Sequence, residues 1–198
     1  MGAQLPFAAE ARLHLGHYAE TLADIRQVAA VVAQFPYRWT RAFAQFIHGM
    51  AALAQGASVE ALALFRESAA GFEEIRHREN RGWVCGPLGL AAHLAGEPEL
   101  ALQEVREALQ TGVDTGVFMP LIYALPVAAR LLADRGEVER AVEAYACAGR
   151  SGFVANSRWF QDLVGAHLEA AATRLPEAQE RGQAQTWEEM ARQLLAEL

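Results

Sequence analysis

Lysine is absent from this sequence: all 17 basic residues are arginine, set against 24 acidic ones for a net charge of −7. GC-rich codon usage produces such a bias. An acidic chain without a basic block matches phosphate poorly, so direct nucleic-acid binding is not expected. The densest basic stretch, residues 66–81, holds Arg66, Arg76, Arg78 and Arg81 but also Glu67, Glu73, Glu74 and Glu79, and reads as a solvated helix face. Cysteine is scarce. Cys85 and Cys147 form no CxxC pair and no metal-ligand spacing, and both lie in apolar helical pattern, where buried free thiols of a reducing compartment are expected. Long apolar runs are missing too. The longest, residues 117–129, is too short to span a bilayer and contains Pro120 and Pro126. The N-terminal residues have neither the basic nor the apolar region of a signal peptide, so a soluble, cytoplasmic protein is expected. No phosphate-binding loop, nucleophile–base constellation or basic recognition helix can be read from the spacing; no catalysis, cofactor or metal is expected.

What the chain does have is a period. Gly16, Gly56, Gly96 and Gly136 lie 40 residues apart without slippage. Five residues after each glycine stands Thr21, Ala61, Ala101 or Ala141, and nine after it Ile25, Phe65, Val105 or Tyr145. Twelve after it come Val28, Ser68, Ala108 and Ala148. A fixed period of this size marks a solenoid of stacked units, each too small to bury its own apolar face. Each unit reads as a helix, a tight turn at the glycine and a second helix, because glycine takes positive φ and reverses the chain in few residues. The small residue at the fifth position lets the paired helices approach, and the larger one at the ninth fills the groove between units. Gly49 and Gly89, also 40 apart, mark a second close helix contact.

The spacing predicts four units at about residues 5–36, 39–78, 81–112 and 117–152. Phe35-Pro36 closes the first, Ser58 caps a helix in the second, and Pro98 opens one in the third. Pro87 and Pro126 fall within first helices, where they remove backbone hydrogen bonds. The period breaks after the fourth unit, since Pro176 stands where a fifth glycine would fall. Residues 153–198 are therefore expected to form C-terminal capping helices. Asn156-Ser157 precedes a helix over about 158–174 with an apolar face of Trp159, Phe160, Leu163, Val164 and Leu168. A polar stretch at 177–185 follows, and Thr186 with Glu189 opens a last helix in a capping box. No capping unit precedes the first helix, which raises the expectation of earlier repeats or a covering partner.

The run from Gly136-Glu137-Val138-Glu139-Arg140-Ala141 to Tyr145 and Ala148, and its equivalents over about residues 5–152, resembles the tetratricopeptide repeat. Units six residues longer than the 34-residue standard are similar to the sensor arms of large bacterial signal-transduction ATPases and transcriptional activators of the maltose-regulon-activator type. Residues 152–162 look like the end of such an arm. The resemblance implies an all-α, right-handed α-α superhelix without enzymatic activity, acting as a protein- or peptide-binding scaffold in a larger regulator. Its partner is then a protein, a peptide or another domain of the same polypeptide, with no nucleic acid or membrane. Alternatives are a small-molecule effector held inside the superhelix and self-association into a homo-oligomer.

Tetratricopeptide arrays bind along the face lined by their first helices. By register that face carries Phe43, Trp83 and Tyr123, flanked by Phe46, Met50 and Leu90, with His93 and Arg130 as polar contributors. Aromatic walls with few polar groups suit an apolar peptide segment or a small organic ligand. The same row also fits core packing between consecutive first helices. His14 and His17, with Glu10 a turn earlier, suggest a metal site only weakly. Gly16 breaks the helix between the histidines, and they read as surface residues. If the register is right, Ala101→Leu and Ala141→Leu should each overpack a helix pair and cost roughly 1–3 kcal/mol; thermal melts matching the unsubstituted chain would refute it.

Overall fold

The computed structural model describes residues 5–32 and 37–198. The expected closure by Phe35 and Pro36 lies outside the described residues. Gly16, Gly56, Gly96 and Gly136 all adopt left-handed backbone, with φ of 85°, 80°, 84° and 87°. Each ends its helix in the same way. The Gly136 N–H reaches the Ala133 carbonyl at 3.0 Å, and the Glu137 N–H reaches Leu132 at 2.9 Å, so two orphan carbonyls of the last helical turn are satisfied.

These turns join helices into antiparallel pairs: α1 (Leu5–His14) with α2 (Tyr18–Val32), α3 (Arg38–Ala54) with α4 (Ser58–Glu74), α5 (Arg78–Leu94) with α6 (Pro98–Thr115), and α7 (Phe118–Asp134) with α8 (Val138–Ala148). No strand occurs among the described residues. Every fifth-position residue (Thr21, Ala61, Ala101, Ala141) is completely buried. Where the buried repeat position is polar, the hydroxyl finds a main-chain acceptor: Thr21 donates to the His17 carbonyl at 2.9 Å, and Ser68 to the Ala42 carbonyl at 2.7 Å. Gly49 and Gly89 do mark close contacts, since a Cβ would lie 2.8 Å from the Phe65 ring at the first and 2.8 Å from Val105 at the second. Gly86 seats the backbone of α5 directly on that of α7, at Tyr123 and Ala124. Pro87 and Pro126 lie inside α5 and α7, and neither ends its helix.

Three local expectations change. Ser58 is not a cap; Ala57 holds that position, and the Ser58 hydroxyl donates to the Leu94 carbonyl of the next unit at 3.4 Å. The helix beyond residue 157 is not uniform. It runs as α10 (Arg158–Phe160), a π-helical turn (Gln161–Gly165) and α11 (Ala166–Ala172), after the short α9 (Gly152–Ala155). The polar stretch at 177–185 is largely helical: α12 covers Pro176–Ala184, with Pro176 in the first turn where its missing N–H needs no partner. A fifth helix pair therefore keeps the spacing, Arg158 standing 40 residues after Phe118. Gly182 lets α12 cross tightly over α8, since a Cβ there would lie 2.1 Å from the Glu143 carbonyl oxygen. The Thr186–Glu189 capping box opens α13 (Trp187–Glu197), which folds back onto α6, α7 and α8. Cys85 and Cys147 are both free and buried.

One non-glycine residue copies the turn geometry. Arg76 has φ 55°, its N–H bonds to the Glu73 carbonyl, and the His77 N–H bonds to Phe72, as at the four glycines. A left-handed L-residue costs about 1–2 kcal/mol, partly offset because glycine loses about 0.5–1 kcal/mol more entropy on folding. Arg76→Gly should therefore stabilise the fold by roughly 0.5–1 kcal/mol in urea denaturation. Gly96→Ala, where a Cβ would meet nothing within 4 Å, should destabilise it by about 1 kcal/mol through φ alone. An Arg76→Gly midpoint at or below that of the unsubstituted chain would show that the arginine side chain stabilises the turn.

Candidate peptide-binding face

The first helices of the pairs converge on one aromatic cluster. Phe46 of α3 meets Tyr123 of α7 edge to face at 5.4 Å between centroids, and Tyr123 in turn lies 5.8 Å from Phe160. Of the residues that the register assigns to the binding face, Phe43, Phe46, Met50, Leu90 and Tyr123 are at most 1% exposed. They are thus walls of a packed interior rather than of an open groove. Trp83 is half-buried, and its indole N–H has no partner. Close by in sequence on α5, Asn80 accepts from the Trp39 indole at 3.2 Å while its own buried amide N–H goes unpaired. His93 and Arg130 form a rim pair on one carboxylate, at 2.7 Å and 2.8 Å from Asp134 Oδ2. Partial burial would raise the Asp134 pKa, but these two hydrogen bonds hold it below the usual carboxylate range.

The interior is closed by the chain itself. Residues 157–165, between α9 and α11, lie against α1, α3 and α7. Trp159 is fully buried and its indole N–H donates to the Met50 carbonyl at 2.9 Å. Phe160 is also fully buried, packed on Tyr123, Trp159 and Phe153. Arg130 donates to the Leu163 carbonyl at 2.8 Å, and the Tyr18 hydroxyl donates to Asp162 at 2.8 Å. Arg158 also pairs with Asp162 at 2.7 Å, and its stem lies over the Gly16 turn. This closing segment was legible only as an apolar helix face. The aromatic doublet behind a serine cap was the available signal, and its position 40 residues after α7 shows which helices it meets.

Two titratable groups of α1 lie in this joint. His14 is buried, not a surface residue as its position beside Gly16 suggested, and Glu10 is largely enclosed. The Ser157 hydroxyl lies 2.6 Å from His14 Nδ1 and also accepts the Phe160 amide, while the buried Nε2 has no partner. Burial lowers the His14 pKa to about 4. Glu10 receives one hydrogen bond, from the Tyr123 hydroxyl at 3.3 Å, and burial outweighs it to push the carboxyl up to about 7. Among the described residues no group of histidine, cysteine and carboxylate side chains could hold a metal ion, and no helix is long and apolar enough to cross a membrane.

Beside the closing segment, at Gln161, is a cavity of about 490 Å³. Val142 and Tyr145 of α8, Val154 and Ala155 of α9, Gln161 and α12 line it. No family model matches this chain, and neither a curated protein nor a solved structure matches it.

The two buried groups oppose each other. A carboxyl raised from 4.5 to about 7 adds stability below 4.5 that is lost as pH rises through 7; an imidazole lowered from 6.5 to about 4 adds stability above 6.5 that is lost as pH falls through 4. Their slopes cancel between about 4.5 and 6.5. Glu10→Gln should remove only the first term, so its stability relative to the unsubstituted chain should improve by about 2–3 kcal/mol between pH 5 and pH 8. Urea denaturation at the two pH values measures this, and a constant difference would show that Glu10 titrates normally.

Proposed function

We propose that the chain is a non-enzymatic helical-repeat scaffold that binds a protein or peptide segment on the face where its first helices converge. The fold class behind this reading is the tetratricopeptide-like solenoid, whose arrays take peptides along the first helices of successive units. The arrangement of α1 through α8 as antiparallel pairs on a 40-residue period supports that assignment. The observation that carries the functional reading is the occupant already present. Residues 157–165 lay a short helical segment on α1, α3 and α7, anchored by two buried aromatics and by donors aimed at its backbone and side chains. A face that accommodates one helix in this way is chemically suited to another of the same kind. Acting as the input arm of a bacterial signalling or transcriptional regulator is the context that the repeat length favours.

Selection of a phage-displayed 16-residue peptide library against the folded chain tests this. Enriched peptides should bind saturably in fluorescence anisotropy, and photo-crosslinks from them should map to α1, α3, α5 or α7. Crosslinks confined to α2, α4, α6 or α8, or a selection that yields no saturable binder, would overturn the proposal.

A further inference from the structure

The closing segment differs from the other first helices in how it is held. Its two ends are breaks in regular structure. Upstream, Ser151 and Ser157 are extended cap residues on either side of the four-residue α9; downstream, the π-helical turn interrupts the helix at Gln161–Gly165. A π-turn inside an α-helix is rare and is found frequently at functional sites. Gly165 permits that turn to lie close to α8, since a Cβ there would fall 2.6 Å from the Tyr145 hydroxyl and 2.3 Å from Gln161 Oε1.

The two faces of the segment are unequal. Toward the interior it is anchored at a few points: the Trp159 indole on Met50, Ser157 on His14, Asp162 on Tyr18 and the Leu163 carbonyl on Arg130. Its Gln161 lines the cavity shared with Val142, Tyr145 and Val154, so open space adjoins the segment at that residue. The joint with α1 is also poorly satisfied. His14 Nε2 is buried without a partner, and Glu10 has a single long hydrogen bond. A permanently sealed joint is better made of apolar side chains, because each half-satisfied buried polar group opposes closure.

We infer that residues 157–165 are a displaceable occupant of the inner face, held in place of a partner helix that presents two adjacent aromatic residues just after a hydroxyl N-cap. This rests on the peptide-binding reading above and adds to it the class of partner and the form of regulation. Release swings the segment toward the cavity, frees the pocket of Trp159 beside Met50 and that of Phe160 beside Tyr123, and exposes the Arg130 guanidinium and the His14 ring to the incoming helix. The partner fills the same two pockets and offers the cap oxygen to His14. The closed chain is then a self-inhibited one, and its affinity for the partner scales with the fraction of molecules in which the segment is out.

Two measurements test this on the full chain. Native-state hydrogen exchange should show the amides of residues 157–165 opening in a sub-global step while those of α5 and α7 exchange only with global unfolding. Exchange of 157–165 solely by global unfolding overturns the inference. In the second, a fluorescein-labelled peptide of residues 151–166 is titrated into the chain and into its Trp159→Ala/Phe160→Ala variant, with circular dichroism confirming helicity. The peptide should bind the variant at least tenfold more tightly than the unsubstituted chain, and a peptide with both aromatics replaced by alanine should bind neither. A folded variant that ignores the peptide overturns the inference. If library-selected peptides nevertheless bind both proteins on the first helices, the scaffold reading survives and only self-inhibition fails; if nothing binds either protein, both fail.

Discussion

A backbone at positive φ lets a helix reverse direction within three residues, and Gly16, Gly56, Gly96 and Gly136 supply it at four equivalent points. The length of the turn is thereby constant, so the fifth residue after each glycine always arrives opposite its partner helix. Thr21, Ala61, Ala101 and Ala141 are small for that reason, and all are fully buried. The larger residues four positions later then pack on the partner helix of the same pair rather than between units, as Phe65 does on Gly49 and Val105 on Gly89. One dihedral thus propagates into the spacing of the first four helix pairs. The fifth pair keeps that spacing without the glycine. Its reversal uses tight three-residue hydrogen bonds, Arg174 to Ala171 and Leu175 to Ala172, before Pro176 starts the next helix.

The convergence of the first helices concentrates aromatic rings, and it also traps polar groups that those helices carry. Glu10 and His14 are one turn apart on α1, and closure buries both against Tyr123 and Ser157. Between pH of about 4 and about 7 both are uncharged in the closed state, which lets the interior hold them without an ion pair. Above that window the carboxylate has only the Tyr123 hydroxyl to stabilise it. The joint between the first and last units is therefore one of the places where the interior holds incompletely paired polar groups.

The turns, the small-residue register and the last capping box were all readable because each depends on a short-range requirement: a positive φ, a missing Cβ or a serine-like oxygen three residues before an amide. Thr186 and Glu189 illustrate this, forming both hydrogen bonds of the box that their spacing implies. What could not be read depends on tertiary position. Pro176 looked like the end of the pattern because the glycine was gone, yet proline is equally at home in a first turn, and α12 begins there. His14 looked solvent-facing beside a turn, and the arrival of Ser157, 143 residues later, together with the rings of Phe153 and Phe160, encloses it. The aromatic row of Phe43, Trp83 and Tyr123 was legible as a row, but its burial depends on tertiary neighbours: Phe43 is packed by Phe7 and Trp39, and Tyr123 by Phe46 and by Phe160 of the closing segment.

That dependence reconciles the two readings of the row. With residues 157–165 in place, Phe46, Met50 and Tyr123 are core; on the displacement proposed above, the same side chains would line a helix-binding face. A competing helix then meets a tethered rival whose effective concentration is on the order of millimolar. A free partner present at micromolar concentration must have an intrinsic affinity about a thousandfold higher, or about 4 kcal/mol more favourable, to occupy half the sites. Two aromatic anchors alone only match what Trp159 and Phe160 already provide. The additional affinity has to come from contacts that the closing segment leaves unused, and the structure holds several: the unpaired N–H groups of Trp83 and Asn80 on α5, and the unpartnered Nε2 of His14. A partner offering main-chain carbonyls to the two N–H groups gains hydrogen bonds that the cis segment never makes, and that difference is what would decide the exchange.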